Sequence, residues 1–267
     1  MFIIGEHING MYPQINSAIA ERNKKVIQKF ALDQITACAD ALDLNCGPAS
    51  SKPLIDMPWL VETVSEVTDK PLCLDSSKPE VIQEGLKAVK YKAIINSTTA
   101  DLKKLDLLIP LAKEYKAELI GITISAKGIP QNMDQRVELA AEIITYCQKS
   151  NFGLENLYLD PVAMPLNLAQ EQLTDILKSI REFRILAQPS PKTVIGLSNV
   201  SQGTHTHNTH SLINRTFLTL AVAYGLNSAI LNPNDKELMD SLITAELILN
   251  KNIYCDSYLE AYRRKII

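Results

Sequence analysis

The sequence predicts an α/β fold, a (β/α)8 TIM barrel formed by residues 1–267 as a single domain. Three observations predict it. Eight short apolar runs alternate with eight longer amphipathic segments. No repeat, low-complexity tract or long linker interrupts the alternation, which is the pattern of a parallel sheet covered by helices. The count of eight, with a chain of 267 residues, favours closure into a barrel over an open doubly wound sheet.

The apolar runs read as strands over 2–5, 41–44, 72–74, 93–95, 119–124, 157–159, 194–197 and 228–231. Each is short and apolar enough to be buried on both faces. The segments between read as helices over 15–37, 57–67, 79–89, 102–115, 133–149, 166–186, 212–224 and 236–249. Pro79 suits a first helical turn. Val81, Leu86 and Val89 give the third helix partial helical spacing. In the fifth, Val137, Leu139, Ile143 and Ile144 make an apolar stripe beside Asn132, Asp134, Gln135 and Arg136. Gly225 stops the seventh.

Active sites of this fold lie where strands end. The first strand delivers Glu6, then His7 and Asn9; the second Asp43 and Asn45, then Cys46-Gly47-Pro48. The third gives Asp75, Ser76 and Ser77, and the fourth Asn96, Ser97 and Thr98. The fifth gives Thr123 and Ser125, the sixth Asp160-Pro161, the eighth Asn232-Pro233. The seventh stops at Gly196 and then supplies Ser198, Asn199 and Gln202 with no charge among them. Any one of these has an ordinary reading as a helix cap or turn residue. Together, Asp75, Asn96, Asp160 and Asn199 face one mouth, two carboxylates and two amides around one cavity. His7 reads as a solvated loop residue and Cys46 as a small buried thiol.

Composition narrows the function. The chain is 46% hydrophobic and 21% charged, with net charge −3 and a pI near 5.9, and no run of Lys or Arg. That argues against nucleic acid as a partner. The beginning of the chain lacks a basic leader, and no apolar run approaches the roughly 18 residues of a membrane span. Cys38, Cys46, Cys73, Cys147 and Cys255 show no Cys-x-x-Cys spacing and read as free thiols in a reducing cytoplasm, the expected location.

The mouth also excludes chemistry. No Lys closes a strand, which disfavours a Schiff-base aldolase. No His-x-His stands at a strand end, and no bound metal is expected. The seventh and eighth loops lack a glycine-rich phosphate cradle. What remains accepts hydrogen bonds with carboxylates and exchanges them with amides. A pterin fits: its 2-amino group and adjacent ring N–H are a donor pair for a carboxylate, and its other polar atoms suit Asn.

The chain resembles the pterin-binding methyltransferases that move a methyl group from methyltetrahydrofolate to a corrinoid protein. The motifs are Ile4-Gly5-Glu6 with Ile8-Asn9-Gly10, Ala41-Leu42-Asp43-Leu44-Asn45, Leu72-Cys73-Leu74-Asp75-Ser76 and Ile95-Asn96-Ser97-Thr98. They continue with Leu159-Asp160-Pro161, the run from Gly196 to Gln202, Ile213-Asn214-Arg215-Thr216-Phe217 and Tyr254-Cys255-Asp256-Ser257. The resemblance is strongest to methyltetrahydrofolate:corrinoid/iron–sulfur protein methyltransferases of the acetyl-CoA (Wood–Ljungdahl) pathway. It implies that methyltetrahydrofolate is the methyl donor and cobalt(I) of a corrinoid the acceptor. It implies a corrinoid iron–sulfur protein as partner and a homodimer. It implies that Asp75, Asn96 and Asp160 hold the pterin ring, and that the catalytic residue Asn199 approaches N5. Ser198 and Gln202 complete that side, above the pocket floor at Gly196, with Glu6 and Asp43 as further members of the mouth.

The chain departs from the family pattern at His7, where Arg is expected, and in the His-rich stretch Gly203–His210. His205, His207 and His210 in that stretch read as solvated loop residues, a surface metal site being the alternative. No corrinoid-binding Asp-x-His-x-x-Gly motif is present, so the corrinoid is expected on another polypeptide. Three alternatives remain at this stage: the same reaction with a corrinoid protein of a demethylating system, a dihydropteroate synthase-like enzyme, and a non-catalytic folate-binding module.

Overall fold

In the structure, a computed structural model, residues 1–47, 50–204 and 206–252 are described. The strands are β1 Phe2–Asn9, β2 Ala41–Asn45, β3 Leu72–Asp75, β4 Ala93–Thr99, β5 Glu118–Ile122, β6 Leu157–Asp160, β7 Lys192–Gly196 and β8 Ser228–Leu231. They form a closed barrel in sequence order, every pair parallel. Closure is made by β1 on β8, with Phe2 opposite Ser228 and Gly5 opposite Leu231. The helices are α1 Pro13–Ala20, α2 Lys24–Thr36, α3 Pro53–Ser65, α4 Pro79–Ala88, α5 Leu102–Glu114 and α6 Met133–Lys149. Then follow α7 Leu166–Ala169, α8 Leu173–Phe183, α9 Ser198–Ser201, α10 His207–Ala223 and α11 Lys236–Ile248. Among the described residues no helix is long and apolar enough to cross a membrane.

The TIM-barrel expectation holds, and the boundaries correct it in places. The expected helix over 15–37 is two helices, because Arg22 takes a left-handed conformation (φ 56°) and Asn23 restarts the chain as the residue before α2. The expected helix over 166–186 is broken by a 3-10 turn at Gln170–Gln172. α10 begins at His207, five residues earlier than expected, because the Thr206 side chain accepts from Thr209 N and caps it. β1 runs on to Asn9, which carries Glu6 and His7 inside the strand.

Side chains alternate between the two sides of a strand, and that alternation builds the site. At mid-height the barrel is filled by Ile4, Ala41, Cys73, Ile94, Ile120, Tyr158 and Val194, all buried. Two residues further along the same strands stand Glu6, Asp43, Asp75, Asn96, Ile122, Asp160 and Gly196. The apolar layer is therefore a floor, and the next layer is polar in five of those seven positions. The outward-facing residues pack under the helices in two clusters, one around Leu42, Leu74 and Leu119, the other around Ile195, Leu218 and Leu231. At the opposite end Glu118 is clamped by Lys92 and Lys192 at 2.9 and 2.7 Å, and accepts from the Tyr158 hydroxyl at 3.1 Å. This end reads as a stability device.

Candidate active site

The carboxyl ends of β2, β3 and β4 make one hydrogen-bonded wall. Asp75 and Asn96 are register partners on adjacent strands. The Asn45 amide donates to Asp75 Oδ2 at 2.7 Å, and Asn45 Oδ1 accepts from Gly47 N at 2.6 Å. The Asn96 amide donates to Asp43 Oδ1 at 3.1 Å, and the Cys73 thiol also bonds the Asp43 carboxyl. On β6, Asp160 Oδ1 accepts from Val162 N at 2.7 Å. Thr123 donates its hydroxyl to the Asp160 carbonyl at 3.0 Å, which ties the ends of β5 and β6.

Among the described residues none of these carboxylates has a cationic partner; the ion pairs lie elsewhere. Burial therefore dominates their titration. It pushes the Glu6 carboxyl up to about 7, against a smaller opposing effect of the Ser198 hydrogen bond. It pushes Asp160 up to about 7, against the Val162 bond. Asp43 is raised well above the usual carboxylate range by burial and by the charge of Asp75 beside it. Asp75 is raised by burial and partly relieved by Asn45. A mouth of largely buried carboxylates with no cationic partner among the described residues is set to receive neutral N–H donors, for which an ionised oxygen is a strong acceptor.

The other side of the mouth is built by β1, β7 and β8. A cavity of about 750 Å3 there is lined by Glu6, Leu197, Ser198, Asn199, Gln202 and Asn232, among others. That volume lies within the range of small-molecule sites. β7 ends at Gly196, and the single turn α9 lifts Ser198 and Asn199 to the exposed rim. Gly196 lets the Asn199 amide lie close: a Cβ there would stand 3.1 Å from Asn199 Nδ2, so the amide would have to give. His210 fastens this turn from α10, with Nδ1 3.3 Å from Ser201 Oγ and Nε2 3.0 Å from the Thr204 carbonyl.

Of the residues expected from sequence, Asp43, Asp75 and Asn96 stand together on one wall, and Asp160 follows on β6. Glu6, Ser198, Asn199 and Gln202 line the cavity across the mouth. His7 corrects its expectation: it lies in β1, half-buried, its ring edge-on to Tyr12 and Phe30 at 5.8 and 6.4 Å, and burial lowers its pKa. His210 is a helix residue holding α9, not a solvated loop residue. The side chains of His205 and His207 lie outside the described residues, as do Pro48 and Tyr254-Cys255-Asp256-Ser257. Cys46 is buried, and burial raises its thiol to about 11. Sequence reasoning passed over Asn45 as a partner of Asp75, and Ser211 and Asn214 as cavity residues. The signal was available for the last two, since they precede Phe217 and Leu218 on one helical stripe.

The model of the pterin-binding enzyme family matches residues 15–232. The chain is 29% identical over 266 residues to the methylcorrinoid:tetrahydrofolate methyltransferase of Eubacterium limosum, covering 99% of this chain and 97% of that protein. It is 26% identical over 245 residues to the methionine synthase of Mycobacterium leprae, covering 87% of this chain and 20% of that protein. Thus it spans about a fifth of that relative's length. The dihydropteroate synthase of Xanthomonas albilineans in complex with 7,8-dihydropteroate superposes with a TM-score of 0.68 at 16% identity, covering 93% of each chain, a likeness of fold. With that match spanning most of the chain, and with the barrel and its carboxylate-lined mouth, the protein belongs to the pterin-binding enzyme family.

Proposed function

We propose that this protein moves a methyl group between N5 of tetrahydrofolate and the cobalt of a corrinoid carried by another protein. The observation that carries the reading is the mouth itself: Asp75 and Asp160 half-buried with no cationic partner among the described residues, Asn96 beside them and Asn199 across from them. The wall of β3, β4 and β6 takes the pterin ring, its carboxylates accepting from the 2-amino group and ring N–H. The name of the Eubacterium limosum relative, which joins a corrinoid to tetrahydrofolate, supports the pairing of substrates.

The corrinoid supplies a cobalt(I) nucleophile for the methyl group. The protein's own residues supply position and polarity. A tertiary amine leaves poorly, so N5 has to gain positive character as its bond to the methyl carbon breaks. Asn199 donates its amide to N5 and strengthens that bond as the transition state forms. Glu6 and Asp160 titrate near 7, so the pocket can hold or release a proton at neutral pH. Asn199 and Ser198 stand at the exposed rim, which leaves the methyl group open to a macrocycle delivered from outside. A transition state shared by both directions is stabilised equally in both. The relative's name gives methylcorrinoid first, so both directions belong in the test.

The finer reading is methyl transfer from methyltetrahydrofolate to the corrinoid iron–sulfur protein of the acetyl-CoA pathway, by a cytoplasmic homodimer. It rests on the resemblance of the motifs. A dihydropteroate synthase reading has the fold in its favour and the site against it: β8 leads into Asn232-Pro233 with no basic group for a pyrophosphate. The test is methyl exchange followed at the cobalt, with free corrinoid, corrinoid iron–sulfur protein and other corrinoid carriers compared. Turnover with the corrinoid iron–sulfur protein above all others supports the finer reading, and preference for another carrier removes it.

A further inference from the structure

Arg136 stands in the first turn of α6 and is fully buried, with 0% of its surface exposed. Among the described residues it is ion-paired with no carboxylate; the arginine ion pairs are those of Arg22 and Arg215. Asp175 of α8 acts on it electrostatically, but that carboxylate is paired with Lys178 at 3.5 Å and accepts from Met133 N at 3.4 Å. The guanidinium spends its donors on neutral oxygens. Nε donates to the Pro161 carbonyl at 2.8 Å, Nη1 to the Asn132 carbonyl at 3.1 Å and Nη2 to Gln172 Oε1 at 3.0 Å. A cation buried without a counterion is costly, and burial works against its charge here. An apolar side chain would serve the packing of α6 better, so the charge calls for another reason.

The reason lies in the peptide unit that Arg136 holds. The Pro161 carbonyl and the Val162 N–H belong to one peptide, and that N–H donates to Asp160 Oδ1 at 2.7 Å. The unit is planar, so its two ends turn together. Arg136 grips one end of the plane, and Asp160 meets the other. Val162 follows with φ 66°, a conformation that a β-branched residue adopts only where its surroundings hold it. The grip is itself fixed, because Gln172 Nε2 donates to Gln131 Oε1 at 3.1 Å. On its backbone side Asp160 is held by Thr123, whose N–H and hydroxyl both donate to the Asp160 carbonyl at 3.0 Å. Thus β5 fixes the backbone of Asp160, and Arg136 fixes the N–H that sets the plane of its carboxylate.

We infer that Arg136 is a positioning residue for Asp160, acting through the Pro161–Val162 peptide to aim the carboxylate at the pterin. The inference rests on the folate reading above. Arg136 itself does not touch the ligand. Without the guanidinium the peptide is free to rotate, and the Val162 N–H leaves Oδ1. Burial and that N–H are the two influences on the titration of Asp160, and they oppose each other. Losing the N–H therefore raises the pH at which Asp160 ionises. An Arg136 that only tied α6 to the chain beyond β6 would leave both the aim and the titration of Asp160 unchanged.

The experiment measures the dissociation constant of methyltetrahydrofolate for the whole chain from about pH 5 to about pH 8, with the melting temperature beside it. Arg136→Met keeps an apolar stem. It is expected to weaken the folate about tenfold at neutral pH and to move the rise of affinity with pH upward from about 7. Val162→Gly frees the same peptide and leaves Arg136 in place, since glycine takes φ 66° unstrained. It is expected to weaken the folate and shift the profile in the same direction, with little change in melting temperature. It carries the test should Arg136→Met fail to fold. In an Asp160→Asn background, Arg136→Met is expected to weaken binding by less than about twofold further. Equal weakening in both backgrounds, an unmoved pH profile, or wild-type affinity in either single variant overturns the inference. So does folate binding that Asp160→Asn leaves unchanged, and the folate reading then stands without it. If the unmodified chain binds no methyltetrahydrofolate, the folate reading falls and the inference falls with it.

Discussion

The Asn96 side-chain amide reaches Asp43 Oδ1 at 3.1 Å, bridging β2 and β4 over the top of β3. Asp75 lies on that intervening strand, and burial together with the charge of Asp75 raises the Asp43 carboxyl. Asp43 is thereby engaged in an internal bond to Asn96, and Asp75, which accepts from Asn45 at one oxygen, is left to receive ligand donors.

This division predicts unequal effects. Asp75→Asn should weaken pterin binding by roughly 10- to 100-fold, the cost of a lost hydrogen bond to a charged acceptor. Asp43→Asn keeps an oxygen that can accept from the Asn96 amide and should change affinity by no more than a few-fold. Titration calorimetry with methyltetrahydrofolate distinguishes them. Equal losses would refute the assignment.

A pH prediction follows from Glu6 and Asp160, raised by burial to about 7 from ordinary values of 4.5 and 3.8. The folded state keeps protons that the unfolded chain has already released. Their contribution to stability is full below about 4 and is lost as pH rises through about 7. The melting temperature of the ligand-free protein should fall between pH 5 and 8 by more than in Asp160→Asn. Folate affinity should rise over the upper part of that window, as Asp160 ionises and becomes the stronger acceptor. A flat affinity between pH 6 and 8 would contradict this role for Asp160.

Gly196→Ala provides a test that leaves every polar group in place. The added methyl stands 3.1 Å from Asn199 Nδ2, tighter than ordinary van der Waals contact, so the amide has to shift. Methyl transfer should slow by about tenfold with a smaller change in pterin affinity, because a displaced donor costs the transition state more than the ground state. Stopped-flow transfer rates set against equilibrium binding separate the two. A variant with the full wild-type rate would show that the position of Asn199 is immaterial.

The barrel was legible because eight apolar runs and eight amphipathic segments state it directly. The polar mouth was legible because strand ends carry it, Glu6, Asp43, Asp75, Asn96 and Asp160 among them. What sequence alone missed was set by distance in space. His7 sits just after Glu6 but inside a longer strand, packed on Phe30 of α2. Asn45 acquires its role only because β2 lies beside β3. The polar stripe of α10 was hidden by starting that helix at 212, past the Thr206 cap that begins it at His207.

The central claim is that this pocket exchanges a methyl group between tetrahydrofolate and a corrinoid. The most direct measurement mixes the protein with methyltetrahydrofolate and a cobalt(I) corrinoid, free and protein-bound, and follows the cobalt absorbance. The reverse mixture of methylcorrinoid and tetrahydrofolate is run beside it. The account predicts methyl transfer in these mixtures, slowed at least about tenfold by Asn199→Ala. Folate binding with no transfer in either direction, or transfer at the full rate by Asn199→Ala, would contradict it.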